Sequence, residues 1–394
     1  MLTDAQRAIV KATVPLLETG GEALTTHFYR IMLAEYPQVR PLFNQAHQTS
    51  GAQPRALANA VLMYARHIDH LERLGDLPAQ IIAKHVALQV LPEHYPIVGT
   101  CLLRAIREVL GEEIATDAVI DAWAAAYQQL ADILIAAEAR VYDETATATG
   151  GWRGERRFRV TGKVRESAEI TSFHLAPEDG GPVLSHQPGQ YLGLRLVIDG
   201  VEHRRNYSLS APADGRSLRI SVKREPDGAV SRHLHDRVNV GDTLGVFPPA
   251  GAFTLAEGDK PVVLISGGVG ITPTLPMLDA ALAAGRPVRF IHCARHPQVH
   301  AFRDWIDARA AQTPKLQRFY CYDDAAGADN GEDVVQGRLD AARLAAWLPE
   351  DRDVDVYFLG PAPFMGSVRR DLGTLGVPQA QARYEFFGPA QALN

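Results

Sequence analysis

The hydrophobic period of this chain changes twice, and that excludes a single core of one architecture. Up to about residue 142, Leu24, Phe28, Ile31 and Met32 recur at helical spacing, as do Leu57, Val61, Tyr64, Ile68 and Leu71. Val98, Leu102, Ile106 and Leu110 repeat the stripe, followed by Trp123, Tyr127, Leu130 and Leu134. Such stripes belong to amphipathic helices of ~3.6 residues per turn. Breaks are expected at Gly20–Gly21, Pro37, Gly51 to Pro54, Gly75 to Pro78, Pro92 and Gly111. They divide an all-α domain over 1–142 into about six to eight short helices.

Residues 143–151, DETATATGG, are small, polar and aperiodic and read as a linker. Over 152–257 the period becomes two: Leu192, Leu194, Leu196 and Ile198 alternate with other residues, as do Leu218, Ile220 and Val222. Turn residues at Pro188–Gly189, Asp214–Gly215 and Pro226 to Gly228 separate these runs. This pattern predicts an antiparallel β-barrel. Over 258–394, unbroken apolar runs at 261–266, 287–292 and 354–359 alternate with helical stretches at 273–284 and 339–348. That is the pattern of an α/β domain with a parallel sheet.

Composition excludes several classes. A net charge of −6 gives no electrostatic footprint for nucleic acid. The three cysteines, Cys101, Cys293 and Cys321, have neither the number nor the spacing of a disulfide scaffold or a zinc or iron–sulfur site. The amino terminus lacks a secretory pattern, and no apolar run approaches the ~20 residues of a membrane span. The expectation is a soluble protein of a reducing cytoplasm.

In the helical segment, three polar residues fall on inward stripes. His85 shares a face with Ile81, Ile82 and Leu88; Tyr95 leads the stripe of Val98, Leu102 and Ile106; Glu138 continues the face of Leu134 and Val141. Each alone fits ordinary core packing. Together they make a chain: Glu138 accepts from the Tyr95 hydroxyl or from a His85 ring N–H, and the other His85 nitrogen meets a metal. A carboxylate behind a ligating imidazole fixes its tautomer and raises its basicity. With one strong histidine ligand and an apolar pocket, haem iron is the natural metal.

Two further motifs concern phosphates. In RNYS (205–208), Arg205 can neutralise a phosphate, while Tyr207 and Ser208 can meet a flavin. PGQY (188–191) precedes it and VKREPDGAVS (222–231) follows. SGGVGITP (266–273) sits between a buried strand and a helix; its glycines admit a pyrophosphate to the backbone, and the helix N-terminus favours the charge. Pro273 suits the first helical turn. The pattern is not GxGxxG, so a standard Rossmann dehydrogenase is disfavoured. GPAPFM (360–365) follows a later buried strand. Arg295, after the second strand of this domain, reads either as a contact for a 2′-phosphate or as a solvated loop charge.

HFYRIM (27–32), PLFN (41–44), KHVALQVLPEHYPIVG (84–99) and AEARVYDE (137–144), with the reductase motifs in this order, resemble bacterial flavohaemoglobins from Met1 to Pro389. The resemblance implies a globin joined to a ferredoxin-reductase-like module, with haem b, FAD and NADH or NADPH. In that family the counterpart of His85 is the proximal iron ligand, those of Tyr95 and Glu138 form the proximal network, and that of Lys84 influences redox potentials. On the distal side, the counterpart of Tyr29 hydrogen-bonds oxygen, Gln53 and Leu57 lie nearby, and Phe43 packs on the porphyrin. Tyr191, Arg205, Asn206, Tyr207 and Ser208 match flavin contacts, and Gly268, Val269, Gly270, Ile271, Thr272 and Pro273 match the nucleotide loop. YEFFGP (384–389) matches the segment closing over the flavin, with Glu385 tuning potential and Phe386, Phe387, Gly388 and Pro389 beside the cofactor. Two positions depart from the pattern: Leu359 and Phe386 stand where relatives often have cysteine. The implied activity is oxidation of nitric oxide by O2 to nitrate, with no obligatory protein partner. The alternatives are a reductase for hydroperoxides or another acceptor, and an O2 or nitric oxide sensor or carrier.

Overall fold

The computed structural model describes residues 2–44, 48, 50–326 and 333–388. Pro389 lies outside them. By contact the chain forms two compact units: a helical one ending at Thr147, with which Glu202–Arg204 and Gly388 also group, and a larger one beginning at Ala148.

The helical unit contains α1 (Asp4–Ala12), α2 (Val14–Glu35), α3 (Ala52–Arg66), α4 (Leu77–Leu88), α5 (His94–Leu110) and α6 (Asp117–Thr147), with short 3-10 turns at Pro37–Leu42 and Leu71–Leu74. Local signals set the starts: Thr3 and Gln6 form a capping box ahead of α1, and Pro15 and Pro78 sit in the first turns of α2 and α4. Two expectations are corrected. Gly20–Gly21 does not break α2, which runs 22 residues. A methyl group on Gly21 would stand 3.4 Å from Cβ of Ala58, in ordinary van der Waals contact, so Gly21 lies where α2 packs on α3. Residues 143–147 are the last turn of α6 rather than linker. The Thr147 hydroxyl donates to the Asp143 carbonyl at 2.8 Å, and the first conformational breaker is Gly150, at φ 74°. Loss of apolar periodicity there marks a helix leaving the core, not a helix ending.

In the larger unit, β1 (Arg156–Arg165), β2 (Ile170–Pro177), β3 (Tyr191–Ile198), β4 (Val201–Ser208), β5 (Leu218–Lys223) and β6 (Thr243–Val246) form a six-stranded sheet in the order β4-β3-β6-β1-β2-β5. A bridge from Leu209, just beyond β4, to Ile220 on β5 closes it into a barrel. Its inward residues, among them Phe158, Phe173, Leu192, Leu194 and Ile220, are sealed from solvent. One helix, α7 (Ala229–Asp236), follows β5.

The remainder alternates strand and helix: β7 (Val262–Gly267), α8 (Thr274–Ala283), β8 (Val288–Ala294), α9 (Arg303–Gln312), β9 (Leu316–Tyr322), β10 (Val334–Gln336), α10 (Ala341–Trp347), β11 (Asp355–Leu359), α11 (Ala362–Thr374) and β12 (Ala382–Tyr384). All neighbouring strands are parallel, in the order β10-β9-β8-β7-β11-β12. β7 and β11 are buried on both faces, which is why their sequences are largely apolar, with Asp355 at the start of β11 and Ser266 near the end of β7 as the polar exceptions. Strand order reverses between β7 and β11. In such sheets ligands bind outside the carboxyl ends at that switch point.

A buried ion pair locks this sheet. Arg286, 3% exposed, donates to Asp355 Oδ2 at 2.6 Å and to the carbonyls of Lys260 and Ala256. Arg383 on β12 reaches Asp355 Oδ1 at 2.9 Å. Removing one partner strands a desolvated charge, at a cost of about 3–5 kcal/mol. Asp355→Ala is therefore expected to lower the denaturation midpoint of the reductase unit sharply while leaving helical-unit hydrogen exchange unchanged.

Candidate functional site

Helix α4 ends at Gln89, which adopts a left-handed conformation at φ 59°, and the Val90 N–H returns to the His85 carbonyl at 2.9 Å. This stop places His85 in the last turn, opposite the first turn of α5, which carries Tyr95. Glu138, 2% exposed, projects from the middle of α6. Its Oε1 accepts from the Tyr95 hydroxyl at 2.7 Å and from His85 Nδ1 at 2.7 Å, so both of the expected donors converge on one oxygen. Burial and the adjacent carboxylate push the Tyr95 phenol far above its ordinary range, keeping it a donor. An ionised carboxylate only accepts, so Nδ1 carries the imidazole proton and Nε2 keeps its lone pair. No described residue bonds that Nε2. Ile81 and Ile82 on α4 pack against the cluster around Tyr95, and Leu57 and Val61 on α3 against the neighbouring core; all four are only half-buried. One free imidazole nitrogen among apolar side chains fits a flat apolar macrocycle with a single protein ligand to its metal.

A second group gathers around Tyr29 on α2, which is 6% exposed. Its ring meets Phe43 edge-on, with centroids 5.5 Å apart, and Gln53 hydrogen-bonds its hydroxyl. Burial raises the Tyr29 pKa far above the usual phenol value, and the Gln53 bond offsets part of the rise. Leu57 and Phe43 pack against the same core cluster. That cluster and the one around Tyr95 share Val90, Tyr127 and Leu130. Lys84 points elsewhere: its Nζ donates to the Gly388 carbonyl at 2.7 Å.

On the barrel, RNYS forms the end of β4. Alternation turns Arg205 and Tyr207 to one side and exposes Asn206 on the other; Ser208 is half-buried. Desolvation lowers the Arg205 pKa and raises that of Tyr207. Tyr191, at the start of β3, is 6% exposed, yet its buried hydroxyl has no partner among the described residues. Burial, then the Glu385 carboxylate, drive its pKa upward. An orphaned phenol at the start of β3 and a desolvated guanidinium near the end of β4 suit a bound anionic group with hydrogen-bonding edges, as a flavin nucleotide has. Phe386 lies edge-on to Tyr384 at 5.8 Å, and Phe387 is 49% exposed.

Between β7 and α8, Gly268–Ile271 makes a 3-10 turn, and Pro273 is the N-cap. Gly268 holds φ 55°. A methyl group on Gly270 would stand 2.5 Å from the Leu359 carbonyl oxygen, and one on Gly360 2.6 Å from the Phe364 ring. The two glycine-rich turns thus pack backbone to backbone at the switch point, forming a cradle any Cβ would fill. The Thr272 hydroxyl turns back to the Val269 carbonyl at 3.0 Å, while Val269 is half-buried and Ile271 sealed.

Three family models match in chain order: Globin over 26–134, Oxidoreductase FAD-binding domain over 157–255 and Oxidoreductase NAD-binding domain over 264–370. The flavohemoprotein of Pseudomonas putida is 68% identical over all of both chains. The chain belongs to the flavohemoprotein family. A flavohemoglobin from Malassezia yamatoensis, solved with bound FAD and heme, superposes with a TM-score of 0.86 at 26% identity, covering 98% of this chain and 100% of that one. The FAD/NAD-binding domain of a nitric oxide dioxygenase from Vibrio cholerae matches at 40% identity and a TM-score of 0.56, covering 60% of this chain and all of that one. This flavohemoprotein chain is an oxidoreductase that uses haem, FAD and NAD(P)H, with electrons passing from the nucleotide through FAD to haem. Among its described residues no helix is long and apolar enough to cross a membrane.

Several polar residues of this flavohemoprotein escaped sequence reasoning. The hydroxyls of Tyr127 and Tyr142 donate to the carbonyls of Tyr95 (2.6 Å) and Val90 (2.8 Å), bracing the turn between α4 and α5. In the stripe Tyr127 reads as apolar. Ser266, at the end of β7, bonds His292 Nδ1 at 2.8 Å, and the His292 ring lies 4.2 Å from that of His300, which bonds the Tyr322 hydroxyl. Burial holds His292 down to about 3; burial, then His292 and nearby Arg303 and Arg318, hold His300 well below the usual range. Both are neutral in the fold, whereas the unfolded chain takes up protons near pH ~6.5. Their contribution is complete above that value and is lost as pH falls toward the folded pKa values. The slope reaches about 1.4 kcal/mol per pH unit for each histidine. Urea midpoints of the reductase unit should fall between pH 7 and 5, and His292→Gln should make that fall shallower.

Proposed function

We propose that this flavohemoprotein is a cytoplasmic nitric oxide dioxygenase that converts nitric oxide and O2 to nitrate with electrons from NAD(P)H. The observation that carries the reading is the double hydrogen bond onto Glu138 Oε1 in a chain that also holds a complete reductase. When bound, haem supplies the iron chemistry that joins oxygen to nitric oxide, and FAD accepts a hydride from NAD(P)H and releases electrons singly.

In this reading the protein's residues position and tune. His85 Nε2 holds the iron. Glu138 orients the imidazole and increases its electron donation, and Tyr95 anchors that carboxylate against rotation. This favours oxygen consumption over reversible carriage. Tyr29, kept protonated by burial, would donate a hydrogen bond to negative charge developing on a bound ligand. Gln53 aims its hydroxyl, while Phe43 and Leu57 exclude water. Tyr191, Arg205, Tyr207 and Ser208 would hold the flavin nucleotide, with Asn206 contributing through its backbone, and Glu385, Phe386, Phe387 and Gly388 would complete that site. Lys84 and Glu385 place charge that adjusts the potentials. The backbone of Gly268, Val269, Gly270, Ile271, Thr272 and Pro273 receives the nucleotide pyrophosphate. The name of the Vibrio cholerae reductase relative supports the same activity.

The test is nitric oxide decay in a closed electrode cell with haem- and FAD-loaded protein. Fast decay that requires both NADH and O2 and leaves nitrate is the expected result. Decay limited to one turnover despite rapid flavin reduction would point to a carrier, a sensor or another acceptor. Tyr29→Phe should raise the O2 release rate and cut turnover at least about tenfold. Glu138→Gln should lower the iron–histidine stretching frequency and reduce turnover by about 10–100-fold.

A further inference from the structure

Arg295 is the first residue beyond β8, the strand next to the glycine-bearing β7. In open parallel sheets of this kind, that carboxyl end faces the adenosine ribose. An acid there reads the 2′-hydroxyl, and an arginine accepts a 2′-phosphate. By position, Arg295 would serve a phosphorylated nucleotide. It is already engaged, however: its guanidinium is ion-paired with Glu169, just before β2 of the barrel.

The backbone around the pair is pinned. Ala168 N–H donates to the Gln298 carbonyl at 2.9 Å, Arg224 N–H to that of Glu169 at 2.8 Å, and Asp324 N–H to that of Arg295 at 2.8 Å. Asp323 N–H donates to the Ala294 carbonyl at 3.2 Å, so two more acids stand at the same strand ends. The other arginines described here are also engaged. Arg338 lies 4.0 Å from Asp323, and Arg343 donates to the carbonyls of Gln336 and Arg338.

We propose that the Glu169–Arg295 pair sets the dinucleotide preference of this protein toward NADH. This rests on the nucleotide reading of the glycine-rich turn. Arg295 is 62% exposed, so the pair is weak by itself and does not act by resisting displacement. It acts through charge: a dianionic 2′-phosphate reaching Arg295 must approach the Glu169 carboxylate, with Asp323 and Asp324 at the neighbouring strand end. A ribose diol meets no such repulsion and finds acceptors.

The test uses the full-length holoprotein, with calorimetric binding of 5′-ADP and 2′,5′-ADP beside kcat/KM for flavin reduction by NADH and NADPH. Wild type should prefer 5′-ADP and NADH. Glu169→Gln should tighten 2′,5′-ADP about tenfold and raise kcat/KM for NADPH in parallel, with 5′-ADP changed less than about twofold. Adding Arg295→Ala to that variant should cancel the gain. An unchanged ratio in Glu169→Gln, or a gain that survives loss of Arg295, overturns the role of the pair alone. If 5′-ADP binds no variant, the nucleotide reading itself fails and takes the inference with it.

Discussion

A carboxylate removed from water needs donors, and Glu138 meets that requirement with two hydrogen bonds on one oxygen. Much of the helical unit follows from it. The long helix α6 has to present Glu138 at the level of the α4–α5 turn, and that turn has to bring His85 and Tyr95 within 3.1 Å of each other. Tyr127 and Tyr142, from the same long helix, clamp the backbone on either side. Three hydroxyls and one carboxylate thereby fix a single imidazole rotamer and tautomer. The lone pair left over has a defined direction and no hydrogen-bond donor among the described residues.

The reductase unit solves a different problem. Anionic groups must come close to a backbone, and side chains are obstacles. Gly267, Gly268, Gly270 and Gly360 remove them at the switch point, and the packing there leaves no space for a Cβ at Gly270. Recognition of a pyrophosphate by backbone N–H groups is indifferent to the rest of the nucleotide. Discrimination has to come from the periphery, where the strand ends carry side chains. The barrel contributes by holding buried, under-partnered groups such as the Tyr191 hydroxyl ready for a ligand.

The three architectures were legible because each has its own hydrophobic period. His85, Tyr95 and Glu138 were legible because polar residues stood on apolar stripes. Other features were hidden for stated reasons. Gly20–Gly21 resembles a break, since sequence does not show that Gly21 faces Ala58 across a helix contact. The polar run at 143–147 hides a helix, because an exposed last turn has no apolar face. Ser266, His292, His300 and Tyr322 lie far apart in sequence or in apolar strands; parallel register sets Ser266 beside His292, and the turn after β8 brings His300 to both the His292 ring and the Tyr322 hydroxyl. Arg295 could be located but its partner could not, since Glu169 belongs to another domain's turn.

The outermost strand of the parallel sheet, β12, pairs with β11 through Ala382, Arg383 and Tyr384. Those residues leave the ribosome after every other element described, whereas the helices around His85 emerge first. Domains of a growing chain fold largely in order of synthesis. The part that carries His85, Tyr95 and Glu138 is therefore assembled long before the parallel sheet is complete.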